Sequence, residues 1–304
     1  MYEPSVELPC RASRLQFQAV LRVQGIRKLN HPSTDLRRIT VAILSAWILA
    51  RCNPALRFPS FFQHKPAAPQ EFTIEVVATW PHDPASFTEG LLWHNGFLYE
   101  SSGLYGRSNL RKVDPQSGAV RQQVEDPSQV FGEGIAIDGE QLYQLTWREH
   151  LGYIYDLQTL KPVGTFSYQG EGWGLCFDGH HFYMSNGSAS ISIRDPRTFA
   201  LIGNIEVRQN AQPIAMLNEL ECVGDSIYAN VWMTNHILRI DKSSGLVTGV
   251  IDVSGLLTAQ ELAQVGPNGV LNGIAYDPAR NEFWITGKQW PKLFEVRFVL
   301  NGVH

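Results

Sequence analysis

The 304-residue chain has four cysteines, Cys10, Cys52, Cys176 and Cys222, and nine histidines. None of them stands at a zinc-ligand spacing, so no metal site is expected. His180-His181 follows a turn glycine and reads as an exposed hairpin tip. No glycine-rich phosphate cradle is present, and no Ser or Cys is set beside a base as a nucleophile. Positive charge is not in excess: 25 Lys and Arg stand against 29 Asp and Glu, a net charge of -4. That balance argues against nucleic acid as a partner. Helical periodicity is nearly absent, apart from residues 258–265, where Thr258 and Glu261 have capping-box spacing. The longest apolar stretch, residues 39–50, falls short of the roughly 20 residues of a membrane span.

That stretch follows Arg37-Arg38 and is followed by small residues and prolines. The order basic, apolar, processing region is that of a secretory signal. The 36 residues ahead of it are unusual for one. Either the true start lies downstream, which is the favoured reading, or residues 1–53 form a signal anchor with a cytoplasmic tail. Arg51 before Cys52 argues against lipoprotein processing. Residues 54–71 are Pro-rich and read as a linker. The expected destination is periplasmic or secreted, with membrane attachment only if the segment is kept as an anchor. A monomer is expected.

What the remainder has in abundance is a repeat. A short phrase recurs as Glu89-Gly90-Leu91, Glu133-Gly134-Ile135, Trp173-Gly174-Leu175, Asn218-Glu219-Leu220 and Asn272-Gly273-Ile274. The gaps are 44, 40, 45 and 54 residues. After each copy come a turn and an apolar–aromatic pair: Leu98-Tyr99, Leu142-Tyr143, Phe182-Tyr183, Ile227-Tyr228 and Phe283-Trp284. Asn-Gly and Asp-Gly in these turns favour hairpins. A third alternating stretch then ends on Asp114, Asp156, Asp195 or Asp241, and the fifth copy has Glu295 there. About four short strands per repeat of roughly 40–45 residues is the size of a propeller blade. Residues 72–304 are therefore expected to form an all-β, five-bladed β-propeller with four-stranded antiparallel blades. The fifth repeat ends near Val299 after its third strand. The first strand, residues 72–80, has no blade of its own and is expected to complete the last one, closing the ring and its edges. Cys176 and Cys222 fall on inner strands of neighbouring repeats at non-equivalent offsets. Buried free thiols are favoured over a disulfide.

In such a ring the inner strands start at one mouth, so the residue before each Gly-Leu/Ile pair lies there: Glu89, Glu133, Trp173, Asn218 and Asn272. The residue four after each repeat aromatic returns to the same face: Gly103, Trp147, Gly187, Trp232 and Lys288. Phe87 and Phe131 stand two before the glutamates. The glycines of the phrase suit close strand packing. A glutamate between Phe and Gly is costly to bury unless paired or protonated. The expected pocket has aromatic walls, a carboxyl of raised pKa and a few polar donors, and suits proton transfer on a small neutral group.

These segments resemble the plant and bacterial glutaminyl-peptide cyclotransferase (glutaminyl cyclase) family. The matching stretches are Phe87-Thr88-Glu89-Gly90-Leu91, Phe131-Gly132-Glu133-Gly134-Ile135, Leu145-Thr146-Trp147, Glu171-Gly172-Trp173-Gly174-Leu175, Leu217-Asn218-Glu219-Leu220-Glu221, Ala229-Asn230-Val231-Trp232 and Thr286-Gly287-Lys288-Gln289-Trp290-Pro291. They run in family order across residues 72–298. The resemblance implies a five-bladed propeller that converts N-terminal glutaminyl residues of peptides to pyroglutamate with release of ammonia. It implies Glu133 as the acid/base, Phe131, Trp147, Trp173 and Trp232 as the aromatic pocket, and Asn218 and Lys288 as polar contacts. Phe87 adds aromatic surface. Plant members often carry Gln where Glu89 stands, which leaves Glu89 as a second carboxylate or an orienter. No catalytic cofactor or zinc is implied, and a structural channel cation such as calcium is left open. The same residues suit two other readings. One is a calcium-dependent, lactonase-like propeller hydrolase using Glu89, Glu133, Asn218 and Asn272 as ligands. The other is a non-catalytic propeller that binds peptides or glycans.

Overall fold

The computed structural model describes residues 67–302. The expected signal or anchor, the Cys52 region and most of the linker lie outside those residues. Strand β1 (Gln70–Pro81) comes first, two residues earlier than the alternation predicts. Three four-stranded antiparallel sheets follow. The first holds β2 (Thr88–His94), β3 (Phe97–Ser102), β4 (Asn109–Val113) and β5 (Val120–Glu125). The second holds β6 (Gly132–Asp138), β7 (Gln141–Thr146), β8 (Leu151–Asp156) and β9 (Pro162–Ser167). The third holds β10 (Leu175–Phe177), β11 (Phe182–Met184), β12 (Ser190–Arg194) and β13 (Leu201–Glu206). A small hairpin that sequence reading missed, β14 (Arg208–Gln209) and β15 (Gln212–Pro213), leads onward.

The fourth group is β16 (Leu217–Val223), β17 (Ser226–Val231), β18 (His236–Asp241) and β19 (Val247–Asp252). Helix α1 (Ala259–Val265) follows, with Thr258 as N-cap in the expected capping box. The fifth group is β20 (Leu271–Asp277), β21 (Glu282–Gly287) and β22 (Lys292–Leu300), with β1 antiparallel to β22 as its fourth strand. One pairing was not legible in the sequence. The start of β1, Gln70 to Phe72, also runs parallel to Gly249–Ile251 of β19, so groups four and five merge into one eight-stranded sheet. Gly249 permits this, because a side chain there would meet the Phe72 ring.

The core explains how the groups are arranged. Five buried apolar clusters each lie between two groups. Leu92, Tyr99 and Leu110 meet Ile135 and Leu142, and Tyr143 and Leu145 meet Leu175 and Phe182. Ile191 and Ile205 meet Leu220 and Ile227, and Ile237 and Ile251 meet Ile274 and Phe283. In the last cluster, Leu91 and Leu98 meet Ala275 and Trp284, which brings group five back against group one. Fully burying one such side chain contributes about 1.5–3 kcal/mol. The first strands pass so close that glycine is required. A Cβ on Gly134 would lie 2.5 Å from Leu175 N, one on Gly90 would lie 2.8 Å from Ile135 N, and one on Gly174 would strike Asn218 O.

The free-thiol expectation is corrected. Cys176 and Cys222 form a disulfide, with Cα atoms 5.5 Å apart, a usual spacing for such a bridge. The one-residue offset between the two repeats does not prevent it. The bridge closes a loop of 46 residues, for which the chain-entropy model gives up to about 4 kcal/mol. Replacing both cysteines by serine is therefore expected to lower stability by up to that amount, read as a lower midpoint in chemical denaturation. Adding reductant to the wild type should reproduce the shift.

Candidate active site

The repeat phrase sits on backbone irregularities. Register breaks occur at Thr88/Gly90 in β2, Gly132/Ile135 in β6, Leu217/Leu220 in β16 and Leu271/Ile274 in β20. A bulge leaves one residue out of the ladder and re-aims its side chain. Glu89, Glu133, Asn218 and Asn272 occupy these positions. In the third group β10 begins only after Trp173-Gly174, so Trp173 stands ahead of its strand. Past each irregularity the ladder resumes: Gly103 N donates to Phe87 O (2.8 Å), Trp147 N to Phe131 O (3.0 Å), Trp232 N to Met216 O (2.8 Å) and Lys288 N to Val270 O (2.9 Å). These bonds bring the second-strand exits to the mouth where the first strands begin.

One cavity of about 210 Å³ opens there. All nine residues singled out in the sequence line it: Phe87, Glu89, Phe131, Glu133, Trp147, Trp173, Asn218, Trp232 and Lys288. Met233 and Asn268 line it as well and were missed. Met233 follows Trp232 at a left-handed φ of 65°, and Asn268 follows α1 in the long insert. Gly103 and Gly187, at exits where other groups carry Trp or Lys, make room for neighbouring rings. A Cβ on Gly103 would strike Phe131, and one on Gly187 would lie 2.6 Å from Trp173. The rings meet around the mouth. Phe131 lies 5.6 Å from Trp147 and 6.1 Å from Phe87, and Trp173 lies 5.7 Å from Trp232, between centroids.

Glu171 is a further missed residue. Its Oε2 accepts from Trp147 Nε1 (2.9 Å) and Trp173 Nε1 (3.0 Å), and Arg148 Nε donates to its Oε1 (2.9 Å). The Arg148 guanidinium lies 3.6 Å over the Trp147 ring. One carboxylate thus fixes two walls. Its position two before Trp173 matches Phe87 and Phe131, a signal present in the sequence.

The floor is acidic and dry. Glu89 and Glu133 are 2% and 5% exposed, and a buried carboxylate is costly unless compensated. Lys288 Nζ donates to Glu89 Oε1 (2.6 Å) and Asn272 Nδ2 to Glu89 Oε2 (3.2 Å). Asn272 thus supports Glu89 and is not a cavity wall. Burial raises the Glu89 carboxyl, and the Lys288 ammonium opposes the rise. Glu133 is pushed well above the carboxylate range, by burial first and then by the Glu89 charge, against a weaker pull from Lys288. Glu133 Oε2 and Asn218 Oδ1 are buried with no partner in the protein. Buried polar groups are normally satisfied, so both are poised for a bound molecule. Among the described residues, no three His, Cys, Asp or Glu side chains group to hold a metal ion.

Comparison with known proteins agrees with this geometry. Residues 44–298 match the glutamine cyclotransferase family. A relative from Arabidopsis thaliana named glutaminyl-peptide cyclotransferase is 41% identical over 228 residues, covering 74% of this chain and 71% of the relative. The crystal structure of Myxococcus xanthus glutaminyl cyclase superposes with a TM-score of 0.70 at 37% identity, covering 76% of this chain and 99% of that one. The chain belongs to the glutamine cyclotransferase family.

Proposed function

We propose that this protein is a glutaminyl-peptide cyclotransferase, built as a five-bladed propeller that β1 closes. The observation that carries the reading is a buried Glu133 with an unpartnered oxygen, on the floor of an aromatic cavity. The cavity has the room of about seven water molecules. That suits one side chain folded back on its own α-amine, not a polymer. The substrate is the N-terminal glutaminyl residue of a peptide.

The α-amine nitrogen attacks the γ-carboxamide carbon and a five-membered lactam forms. The bond from that carbon to the amide nitrogen breaks. The proton lost by the attacking amine is passed to the departing nitrogen, which leaves as ammonia. Both reacting groups belong to one residue, so holding them together supplies much of the rate. Phe87, Phe131, Trp147, Trp173 and Trp232 hold the folded side chain, and Glu133 carries the proton between the two nitrogens. Asn218, with its open amide oxygen, accepts an N–H of the substrate. Lys288, bound to Glu89, acts on the charge of the floor. The disulfide supports an exported protein, because such bonds persist in oxidising compartments.

Product analysis tests the reading. A glutaminyl peptide incubated with the protein is expected to lose one ammonia by mass and to lose its amine reactivity. A product that gains water, or an unchanged peptide, would refute it.

A further inference from the structure

Glu89 differs from Glu133 in how its oxygens are held. Both Glu89 oxygens accept from fixed donors, Lys288 and Asn272. Lys288 and Glu89 are both buried, with side chains 7% and 2% exposed. Lys288 is itself anchored, with its backbone bonded to Val270 O and its ammonium 4.7 Å from the Phe87 ring centre. These two donors favour the charged carboxylate, against the upward push of burial. Glu133 has no cation bonded to it. Both carboxyls line the same cavity, and a carboxylate can only accept. Glu89 has both oxygens occupied while Glu133 Oε2 is open, so the proton of the pair sits on Glu133. The other groups facing Glu133 are Glu171, neutralised by Arg148, and the Tyr105 and Tyr168 hydroxyls.

We propose that Glu89, clamped by Lys288 and Asn272, is a positioning residue that keeps the catalytic proton on Glu133. This deepens the cyclotransferase reading and rests on it. A free α-amine titrates near pH 8 and an ordinary Glu near 4.3, a gap of roughly 3.5 units. An ordinary carboxylate at Glu133 would leave the amine as an ammonium ion, which cannot attack. The charge on Glu89 narrows that gap. Proton transfer is most efficient when the two affinities are close.

The test is Glu89→Gln, which keeps a hydrogen-bond acceptor for Lys288. Losing the carboxylate and freeing the ammonium both favour ionised Glu133. The limb of the kcat/KM–pH profile that belongs to Glu133 is expected to move to lower pH by about one unit or more. The limb set by the substrate amine should stay. A merely structural role would lower activity without moving one limb alone. A second measurement needs neither turnover nor that variant to fold. Carboxyl-labelled glutamate in the wild-type protein is followed by NMR, with Glu133 assigned from Glu133→Gln. Glu133 and Glu89 are expected to titrate together in two coupled steps. A single independent step for Glu133, or a limb unmoved in Glu89→Gln, overturns the proposal. Coupled titration in a protein that releases no ammonia would overturn the function reading and leave the pairing standing.

Discussion

Glu133→Gln is expected to lower ammonia release by roughly 10²–10⁴-fold, the usual worth of a positioned acid/base. The substitution keeps size and shape but cannot carry a proton. The loss should fall on kcat, because the aromatic walls that hold the side chain are untouched. Folding should be unharmed. The wild-type residue is a buried acid, and the amide that replaces it has the same shape and carries no charge to bury. Circular dichroism and a denaturation midpoint at or above that of the wild type check this. Turnover within a few-fold of the wild type would remove Glu133 from the proposed role.

The second large effect concerns stability. Glu100 on β3 is 1% exposed and stands opposite Arg111 of β4 in the ladder. Arg111 Nε and Nη2 donate to its Oε2 (3.0 and 2.8 Å), and Ser86, Thr88 and His82 bond its Oε1 (2.6, 2.7 and 3.0 Å). His82 Nδ1 donates to Trp290 O, and Gln289 N to Ser86 O. The cluster therefore ties the end of β1 to the turn that carries Lys288. Glu100→Ala leaves the buried guanidinium with Asp83 alone (Nη1 to Oδ2, 2.8 Å) and the imidazole without its carboxylate, at a cost of about 3 kcal/mol, the low end for a broken buried pair. Domains are stable by only about 5–15 kcal/mol, so a large drop in denaturation midpoint is expected.

The effect has a pH signature. Burial raises the Glu100 carboxyl, but Arg111 and His82 outweigh it and hold the group far below its usual 4.5. Its contribution is present above the unfolded pKa and is lost as pH falls through the folded one. Burial lowers the His82 imidazole, but Glu100 outweighs it and raises the group above 6.5. Its contribution is present below 6.5 and is lost as pH rises through the folded pKa. The penalty of Glu100→Ala should thus be greatest between about pH 4.5 and 6.5. A penalty that does not vary with pH would mean that the cluster acts by packing alone.

The fold was legible where a single residue type is forced by geometry. Gly90, Gly134 and Gly174 recur because no side chain fits between adjacent first strands. Hairpin turns recur because each group is a meander. The nine cavity residues were legible because strand direction fixes which ends share a mouth, and departures from the repeat then stand out at one place. What the sequence hid depends on register and on long-range closure. The Cys176–Cys222 bridge joins non-equivalent offsets of two repeats, so spacing alone did not announce it. The parallel contact of β1 with β19 joins segments nearly 180 residues apart in the chain. Glu171 carries the same offset as Phe87 and Phe131 but a different chemistry, so its place in the pattern was easy to pass over. Asn272 repeats the phrase but faces Glu89.

The central claim is that this cavity turns a free N-terminal glutaminyl amine onto its own amide. The most direct measurement is ammonia release from a glutaminyl dipeptide, compared with the same dipeptide acetylated on its α-amine. Steady ammonia release is expected from the free peptide and none from the acetylated one, whose nitrogen cannot attack. Equal release from both would show hydrolysis by water, and no release from either would show a binding site without this chemistry. Either result would contradict the account.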